Sequence, residues 1–332
     1  MLDRSSEFKS GVATDFSPGI LDHRFYWGWT LPILVLLVLF PFIALAFKLD
    51  FYLAFVSRIL VFALIVTSLN LILGFGGMVS FGHAAFVGLG AYSVGILMSY
   101  GVVNAYLVWP LAVLIAFSSA LLVGAISLRT KGVYFIMITL AFAQMFFYLI
   151  SSIKLYGGDD GLTLNSRSFI GFGIDLNDDK YLYFIVLTLL VVVLYTLIRL
   201  LNSQFGHALQ AIRENEERMI SIGFPVYRYK LLAFAIAGGL AGLGGVLLAN
   251  LNGFVSPALM QWTQSGMMLI MVILGGVGYV YGGVFGAFSF LLIEEFLSEY
   301  TVHWQLGLGL ALLGVVLYLP NGLASMLEKK SR

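Results

Sequence analysis

Long apolar runs separated by short polar connections dominate the chain. Uninterrupted runs occupy Trp27 to Phe47, Phe51 to Leu73, His83 to Tyr100, Tyr106 to Leu128, Val133 to Ser152, Tyr181 to Leu201 and Leu231 to Asn250. Crossing a hydrocarbon layer about 30 Å thick takes about 20 helical residues, so each run predicts a spanning helix. The stretch from Gly266 to Pro320 is interrupted by Gly275, Gly276, Gly278, Gly282 and Gly283 and by the polar patch Glu294 to His303, which divides it into three more helices. The expected fold class is an all-α polytopic membrane protein with about ten transmembrane helices and glycine-rich helix packing. Its parts are a cytoplasmic N-terminal segment 1–26, a transmembrane domain 27–320 and a cytoplasmic tail 321–332. The transmembrane domain carries an external loop at 153–180 and a cytoplasmic loop at 202–230.

Composition narrows the class. Hydrophobic residues make up 60% of the chain and charged residues 11%, with a mean hydropathy of +0.98, too apolar for a soluble domain with a polar surface. The net charge is +1 and no basic run exceeds the pair Lys329–Lys330, which argues against nucleic acid as a partner. With no cysteine, disulfides, thiolate metal sites and a cysteine nucleophile are excluded. Asp3, Glu7, Asp15 and Asp22 precede the first apolar run, and no small-residue cleavage site follows it, so it reads as a retained first helix.

Basic residues set the orientation, because short loops rich in Lys and Arg stay cytoplasmic. With the N-terminus inside, 13 of the 18 basic residues fall on the cytoplasmic side: Arg4, Lys9, Arg24, Arg129, Lys131, Arg199, Arg213, Arg218, Arg228, Lys230, Lys329, Lys330 and Arg332. Lys48, Lys154, Arg167 and Lys180 fall outside, and Arg58 lies near the outer end of the second span. Both termini are expected in the cytoplasm. Gly238/Gly242, Gly278/Gly282 and Gly282/Gly286 have the four-residue spacing that lets helix backbones approach in lipid. The turn Leu73-Gly74-Phe75-Gly76-Gly77 is echoed by Leu274-Gly275-Gly276-Val277-Gly278, a hint of an internal repeat.

Enzymatic motifs are absent. No G-x-x-x-x-G-K-S/T occurs, so nucleotide hydrolysis requires a partner, and neither H-E-x-x-H nor G-x-S-x-G is present. Asp175, Asn177 and Asp179 alternate as in a calcium loop, but Lys180 and Val186 stand where glycine and the bidentate glutamate are needed, so no metal or other cofactor is expected.

Two sets of residues carry candidate function. The first is the connection Asn202 to Lys230, too long for a simple link between spans. Phe205, Ala208, Leu209 and Ile212 recur at helical spacing, Asn215 can cap a second short helix starting with Glu216 and Glu217, and Gly223 and Pro225 end it. Two amphipathic helices thus offer Arg213, Glu214, Arg218, Met219, Ile220 and Ile222 to a partner, the alternative being a helix lying on lipid. The second set is polar groups inside the membrane, each a candidate for the substrate pathway because it must be paired or line a cavity. These are Asn70, Ser80, His83, Ser93, Gln144, Asn250 and Asn252. Glu294 and Glu295 cannot both stay charged if buried, so one is expected to be protonated or paired.

The run G-H-A-L-Q-A-I-R-E-N-E-E-R followed by I-G-F-P-V-Y-R-Y-K-L-L-A-F, then G-F-V-S-P, M-V-I-L-G-G-V-G, H-W-Q-L-G-L-G-L and L-P-N-G-L, resembles the LivM-type permease of branched-chain amino-acid ABC importers. The earlier L-N-L-I-L-G-F-G-G-M-V-S-F-G-H-A-A-F-V-G-L-G-A-Y is similar to that family's second and third spans. The resemblance implies an ABC importer permease without its own ATP site, in the bacterial inner membrane. It implies as partners a second homologous permease subunit, two cytoplasmic ATP-binding cassette subunits and a periplasmic or tethered solute-binding protein. It further implies that Arg213, Glu214, Asn215, Glu217, Arg218, Ile222 and Gly223 form the ATPase-coupling segment. Branched-chain amino acids are the expected substrates, with urea, amides or other small organic acids as alternatives inside the family. A secondary transporter or channel for a small polar solute is the alternative outside it.

Overall fold

The computed structural model describes residues 27–47, 50–164, 166–171, 176–300, 302–319 and 322–325. The N-terminal segment, most of the tail, the basic residues at 4, 9, 24, 48, 329, 330 and 332, and Asp175 lie outside the described residues. Ten apolar α-helices follow in order: α1 (Trp27–Ala46), α2 (Asp50–Asn70), α3 (His83–Ser99), α4 (Ala105–Ser127), α5 (Val133–Ser152), α6 (Asp179–Leu201), then α9 (Val226–Asn252), α10 (Trp262–Gly275), α11 (Gly282–Tyr300) and α12 (Trp304–Tyr318). Between α6 and α9 stand two shorter polar helices, α7 (Gln204–Glu214) and α8 (Glu216–Ser221). The stretch 266–320 therefore holds three helices, as its glycine and polar interruptions predict. Among the described residues, five segments are long and apolar enough to cross a membrane: Phe51–Phe75, Ala105–Ser127, Val133–Ser152, Asp179–Leu201 and Val226–Asn252.

Burial sorts these helices. The α2 segment is 83% buried and α9 72%, whereas α5 is 22% buried, so α2 and α9 form the centre and α5 lies at the rim. Small residues make the centre possible. Gly238 and Gly242 of α9 face the methyls of Ala120 and Ala116 on α4, and Gly245 faces the backbone carbonyl of Val87 on α3. On the other side Gly286 of α11 faces the Met271 carbonyl of α10, and Gly283 meets Thr67 of α2. The pair Gly278/Gly282 departs from expectation: Gly278 lies in the turn before α11 with φ +85°, so the two do not share a helix face.

The packing has an internal repeat of opposed direction. Helix α9 packs on α4 and α3, and α3 on α4; in the same way α2 packs on α11 and α10, and α10 on α11. Thus α2-α3-α4 corresponds to α9-α10-α11, with α2 and α9 running oppositely, an inverted repeat of the sort found in transporters. In this relation the chain breaks at 76–82 and 253–261 are equivalent. The two glycine turns at 73–77 and 274–278 are not equivalent; they meet each other at one end of the bundle, where a Cβ on Gly74 would stand 2.6 Å from the Gly278 nitrogen. Their shared composition answers a shared contact that leaves no room for side chains.

That end also carries the α4–α5 turn and the α7–α8 connection. At the opposite end lie the described parts of the α5–α6 connection, 153–164, 166–171 and 176–178, where β1 (Leu162–Thr163) pairs antiparallel with β2 (Phe254–Val255) after α9. There Arg167 pairs with Asp179 at 2.6 Å and donates to the Leu176 carbonyl at 2.8 Å, while Asp178 caps α6 by accepting from the Lys180 amide. Asp178 and Asp179 are thus engaged in shaping the loop and the start of α6.

Candidate functional site

Helix α7 starts at Ser203, whose hydroxyl accepts from the Gly206 amide, and buries Ala208, Leu209 and Ile212 at the predicted helical spacing. Phe205 stacks on Tyr229 of α9 with centroids 5.4 Å apart, and Phe224 covers the same ring at 5.0 Å. This aromatic stack ties the connection to the start of α9. Helix α8 is different: none of its side chains is buried. Asn215 caps it, accepting from the Arg218 amide at 2.9 Å, and Gly223 ends it at φ +83°. Glu217, Arg218, Ile220 and Ile222 are exposed, Ile222 by 68%.

Glu216 anchors α8 to the membrane domain. Its carboxylate meets Lys230 of α9 at 2.6 Å and Lys131 of the α4–α5 turn at 3.1 Å. Partial burial pushes its pKa up, but the hydrogen bonds and charges of Lys230 and Lys131 outweigh this and hold it below the ordinary carboxyl value. The Tyr227 hydroxyl donates to the Ala125 carbonyl at 2.8 Å, a second tie to the end of α4. Leu128, Lys131, Glu216, Ile220, Tyr227 and Lys230 line a cleft of about 350 Å³ between these parts.

The expected coupling residues Arg213, Glu214, Asn215, Glu217, Arg218, Ile222 and Gly223 are all exposed. Glu214, Glu217, Arg218 and Ile222 face outward and Asn215 and Gly223 shape the ends of α8. Arg213 is exposed as well, yet its guanidinium reaches back to donate from Nη1 to the Gly74 carbonyl in the π-helical turn after α2.

Of the seven candidate pathway residues, Asn70, Ser80, His83 and Asn250 are fully buried and lie in or beside the helix breaks. Asn70 ends α2, which continues as a π-helical turn over Leu71–Phe75. Its Nδ2 donates to the Tyr279 carbonyl at 2.7 Å and its Oδ1 accepts from the Gly278 amide at 3.1 Å. Asn250 does the equivalent near the end of α9, accepting from the Ser168 amide at 2.8 Å and donating to the Val246 carbonyl. Ser80 accepts from the Gly82 amide, and His83 opens α3. Ser68 donates to the Ile65 carbonyl at 2.6 Å, so the His83 Nε2 2.8 Å away is the donor to the Ser68 oxygen, and its Nδ1 carries the free lone pair. Of the other polar candidates, Ser93 bonds back to Leu89, Gln144 is half-buried on α5 and Asn252 is exposed. Glu294 lies 3.9 Å from Arg58.

Sequence reasoning missed the groups that join these breaks. The α10 start meets the α3 start: Ser265 accepts from the Ala84 amide at 2.9 Å, and Thr139 of α5 accepts from the Phe81 amide at 3.3 Å. Each is one small hydroxyl in a largely apolar helix, and its spacing along the chain does not reveal a partner so distant in sequence. Lys131 was visible only as a basic residue in a turn.

A multi-pass helical membrane protein, with an inverted repeat and two broken helices whose starts meet in its interior, has the architecture of a transport subunit. Residues 51–319 match the family model described as branched-chain amino acid transport system / permease component. The chain belongs to that family, in accord with the ABC importer permease expected from its motifs. It is 28% identical over 317 residues to the high-affinity branched-chain amino acid transport system permease protein LivM of Escherichia coli K12, covering 89% of this chain and 74% of that one. A probable branched-chain amino acid transport permease protein LivM of Methanocaldococcus jannaschii is 24% identical over 77% of this chain and 88% of its own. The permease protein LivH of Salmonella typhimurium is 24% identical over 79% of this chain and 90% of its own. No solved structure matches the fold.

Proposed function

We propose that this chain is the membrane subunit of an ATP-driven importer of branched-chain or chemically related amino acids. It works with a second, homologous permease subunit, two cytoplasmic ATP-binding cassette subunits and a solute-binding protein that delivers the substrate. Similarity to both LivM and LivH proteins supports the paired permeases.

The observation that carries the coupling assignment is α8, a capped helix without a single buried side chain, held against the membrane domain by Glu216 and presenting Glu217 and Arg218 outward, with Ile222 exposed at its end. A helix of six residues does not persist alone in water, so its outward face is available while its inward ties are structural. The outward face is the docking surface for an ATPase subunit. Arg129, Lys131, Arg213, Arg218, Arg228 and Lys230 gather at that end of the bundle, against Lys154, Arg167 and Lys180 at the other, which supports a cytoplasmic α7–α8 connection in the bacterial inner membrane, with both termini inside. Asn70, Ser80, His83 and Asn250 brace the two helix breaks that flank the substrate route.

The test is uptake by proteoliposomes holding both permeases and both ATPases, with the binding protein supplied outside. Leucine uptake that requires ATP and the binding protein is expected. Uptake driven by a proton gradient without ATP would refute the reading and favour a secondary transporter.

A further inference from the structure

Arg213 sits among residues expected to touch an ATPase, yet its guanidinium serves the membrane domain. From the last turn of α7 it donates to the Gly74 carbonyl in the π-helical turn that follows α2. A Cβ on Gly77 would stand 3.1 Å from its Cγ, and one on Gly278 would stand 3.0 Å from its Nη1, so the arginine fills the space left by two side-chain-free turns. Behind it, Asn70 clamps the same two turns through the Gly278 amide and the Tyr279 carbonyl. The Gly278 turn is continuous with α11, and α10 ends just before it at Gly275. One exposed cation on α7 is therefore bonded to the turn that follows α2 and lies against the Gly278 turn that follows α10; α2 precedes the break at 76–82, and α10, which carries Ser265, follows the break at 253–261.

We propose that Arg213 is the transmission contact of the coupling connection: movement of α7 driven by the ATPase reaches the helix breaks through its grip on the Gly74 and Gly278 turns, in addition to any route through α9. This rests on the docking role assigned above to α8. The physical argument is rigidity. A planar, multiply donating guanidinium seated between backbone surfaces has little freedom, so displacement at its Cα is passed on, whereas the apolar face of α7 can slide.

The absence of native cysteine allows two reporters in the assembled complex. Val277→Cys lies on the exposed part of the gripped turn, and Ile222→Cys lies at the end of α8. Alkylation rates are measured with and without a non-hydrolysable ATP analogue, in the parent and with Arg213→Met, which keeps length and removes the donors. Nucleotide should change the rate at both positions in the parent. With Arg213→Met the response at 222 should persist and that at 277 should fall by about fivefold or more, the lower end of a typical coupling free energy. A smaller reduction at 277, with 222 still responding, overturns the proposal. A parent complex in which position 222 does not respond overturns the docking role itself, and this proposal with it. Where Arg213→Met does not assemble, Arg213→Lys, which keeps the charge and loses the planar fork, is read by the same criterion.

Discussion

Glu216→Gln asks what holds α8 in place. The helix has six residues and no buried side chain, so neither propensity nor hydrophobic contact can orient it. What remains are the Asn215 cap, the Gly223 turn and the two lysines on Glu216. Lys131 is 67% exposed, and an exposed pair of this kind contributes about 0 to 1 kcal/mol. Lys230 is 17% exposed and bonded at 2.6 Å, where a hydrogen bond to a charged group contributes about 1.5 to 3 kcal/mol before the discount for a carboxylate still partly in water. Glutamine keeps the shape and one acceptor, so we expect a net loss of about 1 to 2 kcal/mol, which raises the open population of α8 roughly 5- to 30-fold. Hydrogen exchange in the complex-free chain should show this as faster exchange over residues 215–224 and unchanged exchange in α2 and α9. Acid should produce the same result in the parent. Because the folded carboxyl titrates below the ordinary 4.5, its stabilisation is fully present above that value and is lost as pH falls through the folded one. Glu216→Gln should show no such step. Unchanged exchange over 215–224 in the variant would refute the assignment of Glu216 as the anchor.

Three further outcomes follow from the geometry. Gly223→Val forces a β-branched residue to φ +83°, a strain of about 1 to 2 kcal/mol, so the chain should reach the membrane at near-parental levels in an immunoblot while substrate uptake falls severalfold. Gly245→Ala sets a methyl against the Val87 backbone carbonyl between α9 and α3; overpacking costs about 1 to 3 kcal/mol, and a lower melting temperature in detergent should report it. In intact cells an impermeant thiol reagent should label Asp160→Cys and spare Glu217→Cys, both exposed at opposite ends, and the reverse pattern would invert the proposed orientation.

The parts of this molecule legible in its sequence are those governed by local rules. Runs such as Tyr181–Leu201 announce α6 because spanning lipid demands length and apolarity together. Asn215 and Gly223 announce the ends of α8 because a cap and a left-handed turn depend on one residue each. The depth of α3 and α10 was not legible. Helix α10 has only 14 residues because the chain re-enters after β2, and its Ser265 reaches Ala84, 181 residues away, across a contact no local pattern encodes.

Arg213 shows the same limit in the functional region. An arginine one residue from Glu214 on an amphipathic helix reads as part of an outward polar face, since its spacing alone carries no other information. Its bond to the membrane domain is decided by what stands opposite: Gly74, Gly77 and Gly278 present backbone and no side chains, so the Gly74 carbonyl lies within reach of the guanidinium. A Cβ at Gly278 would stand 3.0 Å from Nη1 and press the guanidinium away from the turn. The direction of Arg213 is therefore a property of two glycine turns that are distant in sequence, and the glycine motifs that first looked like copies of a repeat are the two faces of one socket.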